Sequence, residues 1–189
     1  MTGSKGKDDA QDGQKGRRAE VRQLEPFHFS NNLPPDVRDK LKEIFANWRD
    51  EPKAEALVKD IIAQSPDTLG LRILAYRFYF YRRRPGEAAQ WALSCLEWLA
   101  DHLGLPRDWR QVTPAMADFE EWHAFTRLWL QSLTAYSYNL ARLGRTEEAL
   151  LALDKVAELD TPGKLGAAQL SQVFANPLTD AGMLFPKEG

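Results

Sequence analysis

The stretch Gly144-Arg-Thr-Glu-Glu-Ala-Leu150 decides the fold, because degenerate copies of it stand at Pro52-Lys-Ala-Glu-Ala-Leu57 and Pro85-Gly-Glu-Ala-Ala89. In each place the segment starts the second helix of a pair. Ala54 and Ala88 are 34 residues apart, and Ala88 and Ala149 are 61 apart. The third unit therefore fits if about one helical segment is inserted between Asp101 and Phe125. Self-similarity at such a period is the mark of stacked helix pairs. A small residue at this point lets the second helix pack closely on the first, which is why the pattern keeps returning to alanine.

Outward from these starts, apolar residues recur at three- and four-residue steps. Val37, Leu41, Ile44, Phe45 and Trp48 form one face of a helix begun by Pro34-Pro35. Ala54, Leu57, Val58, Ile61 and Ile62 form the next, entered at Pro52 and ended by Ser65-Pro66-Asp67. Leu71 to Tyr81 is apolar and aromatic nearly all round, as expected of a helix with neighbours on several sides. After Pro85-Gly86 a helix runs from Glu87 to about His102, with Ala88, Ala89, Ala92, Cys95, Leu96 and Leu99 inward, closed by Gly104 and Pro106. Thr113-Pro114 reads as an N-cap and first helical residue. The series Phe119, Trp122, Phe125, Trp129, Leu133, Tyr136, Leu140, Leu143 then predicts a helix over 114–143, about 45 Å long if straight, or kinked partway. Thr146 to Leu159 is a further clear helix, and Ala167 to Ala175 a short one.

With this layout the chain resembles the tetratricopeptide repeat family over roughly residues 35–162. The third copy carries Leu133, Tyr136, Ser137, Leu140, Leu143-Gly144, Ala149, Leu153 and Glu158-Leu159-Asp160. The first offers Leu41, Phe45, Ala54, Val58 and Pro66, and the second Leu71, Leu74, Ala75, Phe78 and Ala88, with one extra residue in its Arg82-Arg83-Arg84 turn. The first-helix Trp of the family is absent from all three. The resemblance implies an all-α fold: an α-solenoid of about three helical hairpins, with an inserted helical segment and a C-terminal capping helix. It also implies a concave groove lined by Asp39, Glu43 and Asn47, by Arg72, Tyr76, Tyr79 and Phe80, and by Gln131, Thr134, Tyr138 and Arg142. An aromatic middle with charged ends suits an amphipathic peptide or helix as partner. The Lys/Asn set with which some relatives hold a C-terminal carboxylate is not reproduced.

Composition bounds the alternatives. The 189 residues are 43% hydrophobic and 28% charged, with 25 basic and 27 acidic side chains and a net charge of −2. That is one domain's worth of core, and the balance argues against a dedicated duplex-DNA binder. Residues 1–25 mix six basic with five acidic side chains and almost no apolar area, so they read as a disordered tail. The helical domain is expected over 26–175 and a Pro/Gly-punctuated tail over 176–189. No apolar run approaches the roughly 18 residues of a membrane span, and Met1 to Glu20 lacks the apolar core of a secretory signal. A cytoplasmic location is expected.

Nothing in the chain spells out catalysis. A single cysteine, Cys95, excludes an intrachain disulfide and a cysteine-based zinc site. His28, His102 and His123 are scattered, and Glu120 with His123 is only half of a di-metal motif. There is no phosphate loop or nucleophile elbow. The chain is therefore expected to be noncatalytic, with no cofactor and no metal. The Tyr76-Arg-Phe-Tyr-Phe-Tyr-Arg-Arg-Arg84 run is partly core; its remaining aromatics and arginines suit a protein interface better than single-stranded nucleic acid. The expectation is an adaptor or scaffold that binds a protein partner. The alternatives are self-assembly, to which Met183, Leu184 and Phe185 could contribute, and an accessory subunit or assembly chaperone of an enzyme complex.

Overall fold

A computed structural model describes residues 35–121 and 123–175. The expected tails, His28, Trp122 and the Met183 to Phe185 segment lie outside the described residues. Among those described there are seven α-helices, two 3-10 turns and no strand. The helices are α1 (Pro35–Ala46), α2 (Glu51–Gln64), α3 (Leu69–Tyr81), α4 (Pro85–Leu103), α5 (Ala124–Arg142), α6 (Thr146–Leu159) and α7 (Ala167–Ala175). None is long and apolar enough to cross a membrane. The chain divides into two compact units, one ending at Leu74 and the other beginning at Ala75.

In the first unit α1 packs on α2. Their buried faces are Val37 and Ile44 on one helix and Ala54, Val58 and Ile61 on the other. Asp50 caps α2: its carboxylate accepts from the Lys53 amide at 3.2 Å, and Pro52 stands in the first turn, where a missing N–H costs nothing. In the second unit α4 packs on α5, α5 on α6, and α6 on α7. Trp129, Phe78, Leu96, Leu99, Leu130, Leu133, Leu140 and Leu153 fill its core.

The alanines singled out by the repeat, Ala54, Ala88 and Ala149, are each fully buried. Each donates its amide to the carbonyl of the N-cap residue four positions back, Asp50, Arg84 and Arg145 respectively, at 2.8 to 3.0 Å. The two turns of the second unit match in detail at an offset of 61 residues. Arg84 donates to the Tyr79 carbonyl and Arg145 to the Leu140 carbonyl, both at 3.0 Å. Arg83 (φ 55°) and Gly144 (φ 78°) occupy the left-handed conformation at the same place. Arg84 pairs with Glu87, and Arg145 with Glu148, at the head of the following helix. The turn at Arg82-Arg83-Arg84 therefore contains no extra residue, contrary to the register expected from the sequence. Arg83 does there what glycine does at 144.

The insert differs more. Residues 114–143 do not form one helix: Pro114–Met116 is a 3-10 turn, Ala117 is extended, and α5 starts only at Ala124. The Asp118 carboxylate accepts from the Glu120 and Glu121 amides at 3.1 and 3.0 Å, and this local turn competes with helix. Thr113 makes no side-chain cap. The insert is instead pinned by buried Trp109, Val112 and Phe119. Phe119 meets Trp129 at 5.8 Å, Arg110 lies over Trp109 at 4.3 Å, and Lys155 of α6 donates to the Val112 carbonyl at 3.0 Å. Among its described residues between α4 and α5 the insert holds two 3-10 turns and no α-helix.

Two predictions follow from this packing. Ala88→Leu and Ala149→Leu should each overpack a filled interface and cost roughly 1 to 3 kcal/mol by thermal or urea unfolding; unchanged stability would contradict close approach there. A Cβ at Gly144 meets nothing within 4 Å, so only its φ opposes substitution. Gly144→Ala should cost about 1 kcal/mol, whereas Arg83→Gly should cost nothing or stabilise slightly. A loss in Arg83→Gly equal to that of Gly144→Ala would break the equivalence of the two turns.

Candidate functional site

The expected groove residues fall in both units. In the first, Asp39 is exposed and tied to Lys42 at 2.7 Å, which lowers its carboxyl pKa through the hydrogen bond and the charge. Glu43 is exposed, and the Asn47 amide donates back to the Glu43 carbonyl at 2.8 Å, closing the end of α1. Arg72 is half-buried. Of these, the Asn47 side chain serves the end of its own helix, and Asp39 pairs along the surface of α1.

In the second unit three of the expected residues come together. Tyr76 and Phe80, one helical turn apart on α3, have ring centroids 5.7 Å apart, and Phe80 reaches Tyr138 of α5, also at 5.7 Å. All three are half-buried. Burial drives the Tyr76 phenol far above its usual pKa, against the pull of the Arg77 guanidinium. Burial in turn lowers Arg77, which Tyr81 and Tyr76 oppose. On α5, Gln131, Thr134, Tyr138 and Arg142 follow at three- and four-residue steps on one face. Gln131 is exposed and Arg142 half-buried. The Thr134 hydroxyl is spent on the Leu130 carbonyl at 2.9 Å, so it contributes shape more than a free hydrogen bond.

Tyr79 is not at this surface. It is 3% exposed, packs edge-on against Phe78 at 5.2 Å and lies under the Arg84 guanidinium at 4.8 Å. The cause is the turn length: with no extra residue, Tyr79 falls at the position of buried Leu140, and Tyr81 at that of Arg142. Tyr81, which the groove reading omitted, is 42% exposed and borders Phe80 at 5.6 Å. The repeated Arg-x-x-Glu-Ala at 84–88 and 145–149 is the sequence signal that would have set this register. Also missed was Phe174 of α7, whose ring meets Tyr138 at 6.2 Å.

Cys95 is buried on the inward face of α4. His102 stacks on Trp98 at 5.2 Å and meets Phe125 at 4.3 Å. The acidic neighbours of His123 are Asp118 and Glu121, 4.0 and 3.8 Å from Nε2, in place of the Glu120 that spacing suggested. Among the described residues these three bring their ligand atoms within 4.8 Å of one another, and all three are exposed. The arrangement in the second unit is a row of half-buried aromatic rings bordered by polar side chains.

No family model matches the chain, and no solved structure does. It is 33% identical over 162 residues, 85% of its length and 89% of the relative's, to a protein of Azotobacter chroococcum mcd 1 described as "Uncharacterized 19.8 kDa protein in nifW 5'region". Identity of that level over most of both chains makes them members of one family: the chain belongs to the family of the 19.8 kDa protein of the nifW 5' region.

Proposed function

We propose that the protein is a noncatalytic cytoplasmic adaptor, built as a degenerate tetratricopeptide-like solenoid, that binds a peptide or helix of a partner protein on the aromatic surface of its second unit. The observation that carries this reading is the row Tyr76, Phe80 and Tyr138, assembled from two helices with ring spacings of 5.7 Å. Half-buried aromatics present large, rigid area at low entropic cost, and tyrosine adds a directed hydrogen bond at its edge. The charged and amide side chains of Arg142 and Gln131 on the same face of α5 would orient the partner more than attract it. The match of the two turns at a 61-residue offset supports the solenoid. The buried alanines support it equally, since a stacked-pair architecture demands a small residue at each crossing.

The test is affinity capture from the native cell, quantified by mass spectrometry. Tyr138→Ala combined with Arg142→Glu should reduce recovery of bound proteins at least about tenfold, the effect of losing an anchor of roughly 1.4 kcal/mol or more. Its melting temperature should fall by no more than a few degrees. Leu151→Ala, at an exposed position on α6, should leave capture unchanged. Full capture by the double variant would remove the adaptor reading.

A further inference from the structure

Helix α7 packs along α6 and reaches the aromatic row at its Tyr138 end. Helix α7 brings Phe174 against Tyr138 at 6.2 Å, at the end of the row that continues through Phe80 to Tyr76. The α7 side chains facing inward are Ala167, Leu170, Ser171 and Phe174, spaced as a single helical stripe, with Ala167 and Phe174 buried and the other two half-buried. The Ser171 hydroxyl is turned back on the Ala167 carbonyl at 3.0 Å, so it offers its surroundings little polarity. Opposite this stripe, Ala168, Gln169, Gln172 and Ala175 are exposed. This is the pattern of an amphipathic helix laid on an apolar surface.

Its own buried face is small. A helix of nine residues is marginal without packing, and α7 buries just those two side chains. It is joined to α6 through an exposed segment with left-handed glycines at 163 and 166. One carboxylate latches that segment: Asp160, 2% exposed, accepts the Leu165 amide on Oδ2 at 2.7 Å. Its other oxygen, Oδ1, is buried and has no hydrogen-bond donor among the described residues.

We propose that α7 is a displaceable, built-in occupant of the partner surface, and that the partner is a short amphipathic helix presenting an aromatic side chain where α7 presents Phe174. This rests on the adaptor reading and adds to it the class of ligand and a means of control. A partner helix must displace Phe174 of α7 before it covers Tyr138, so its apparent affinity is reduced to the extent that α7 is docked. Any change that loosens α7 raises that affinity without touching the surface itself.

The probe is a fluorescein-labelled peptide with the sequence of residues 163–178, titrated by anisotropy against the full-length chain. Phe174→Ala should bind it at least about tenfold more tightly than the unaltered chain, as expected if α7 is docked in roughly nine molecules of ten or more. Adding Tyr138→Ala should abolish the gain, and a peptide with alanine at the Phe174 position should not bind. Equal affinity of the unaltered and Phe174→Ala chains overturns the proposal. Native-state hydrogen exchange on the unaltered chain gives an answer independent of any variant. The amides of residues 170–175 should exchange well before those of α5 and α6, and equal protection of the three helices overturns the proposal. Capture that survives Tyr138→Ala with Arg142→Glu removes the adaptor reading itself, whereas equal peptide binding removes only the control by α7.

Discussion

The second unit depends on how closely α5 and α6 approach. Ala149 permits it by having nothing beyond Cβ, and Ser137 fixes it, donating its hydroxyl to the Ala149 carbonyl at 2.8 Å in a fully buried site. A buried hydroxyl left unpaired would cost more than this bond contributes, so the two positions specify one another. With the crossing set, Leu140, Leu153 and Val156 fall into the core, and Tyr138 is carried to the edge of the aromatic row. A larger residue at 149 would disturb the core and the candidate surface together, because both are faces of the same helix.

Much of this was legible in the sequence, and the reasons differ by element. The helices were readable because their apolar residues keep the 3.6 period and because Pro52, Gly104 and Gly144 stand at their ends. Ala54, Ala88 and Ala149 were identifiable as crossings since alanine at a recurring place is otherwise hard to explain. The turn at Arg83 was not readable, since an arginine gives no signal of a left-handed backbone. One residue of slip there sufficed to move Tyr79 from surface to core. The apolar series through the insert mimicked helix because Phe119, Trp122 and Phe125 recur at three-residue steps in the sequence, next to the Asp118 that folds a turn. Phe174 could not be placed on Tyr138 at all from sequence, since that contact is tertiary and joins residues 36 positions apart.

The arginines of the α3–α4 turn show how one run of residues can serve packing and surface at once. Arg82 lies over the Phe78 ring at 4.9 Å and Arg84 over that of Tyr79 at 4.8 Å, so two of the three guanidinium groups lie against the buried rings. Arg84 also holds Glu87 at the first turn of α4, where a carboxylate meets the positive end of the helix dipole. What reads in the sequence as a basic patch is in large part a clamp on the aromatic helix above it. The exposed character of the turn falls to Arg83 and, beside it, Tyr81.

Cys95 sits on the inward face of α4 at 2% exposure, in a chain with no other thiol. A thiol reagent can therefore reach the molecule at a single place, and only in those moments when α4 lifts from its neighbours. Its labelling rate is a clock on the opening of the second unit, tracking the population of open molecules when closing outpaces the reagent and the opening rate itself when it does not. A single thiol on α4 thus reports, from inside the native chain, how often that helix comes away from the core.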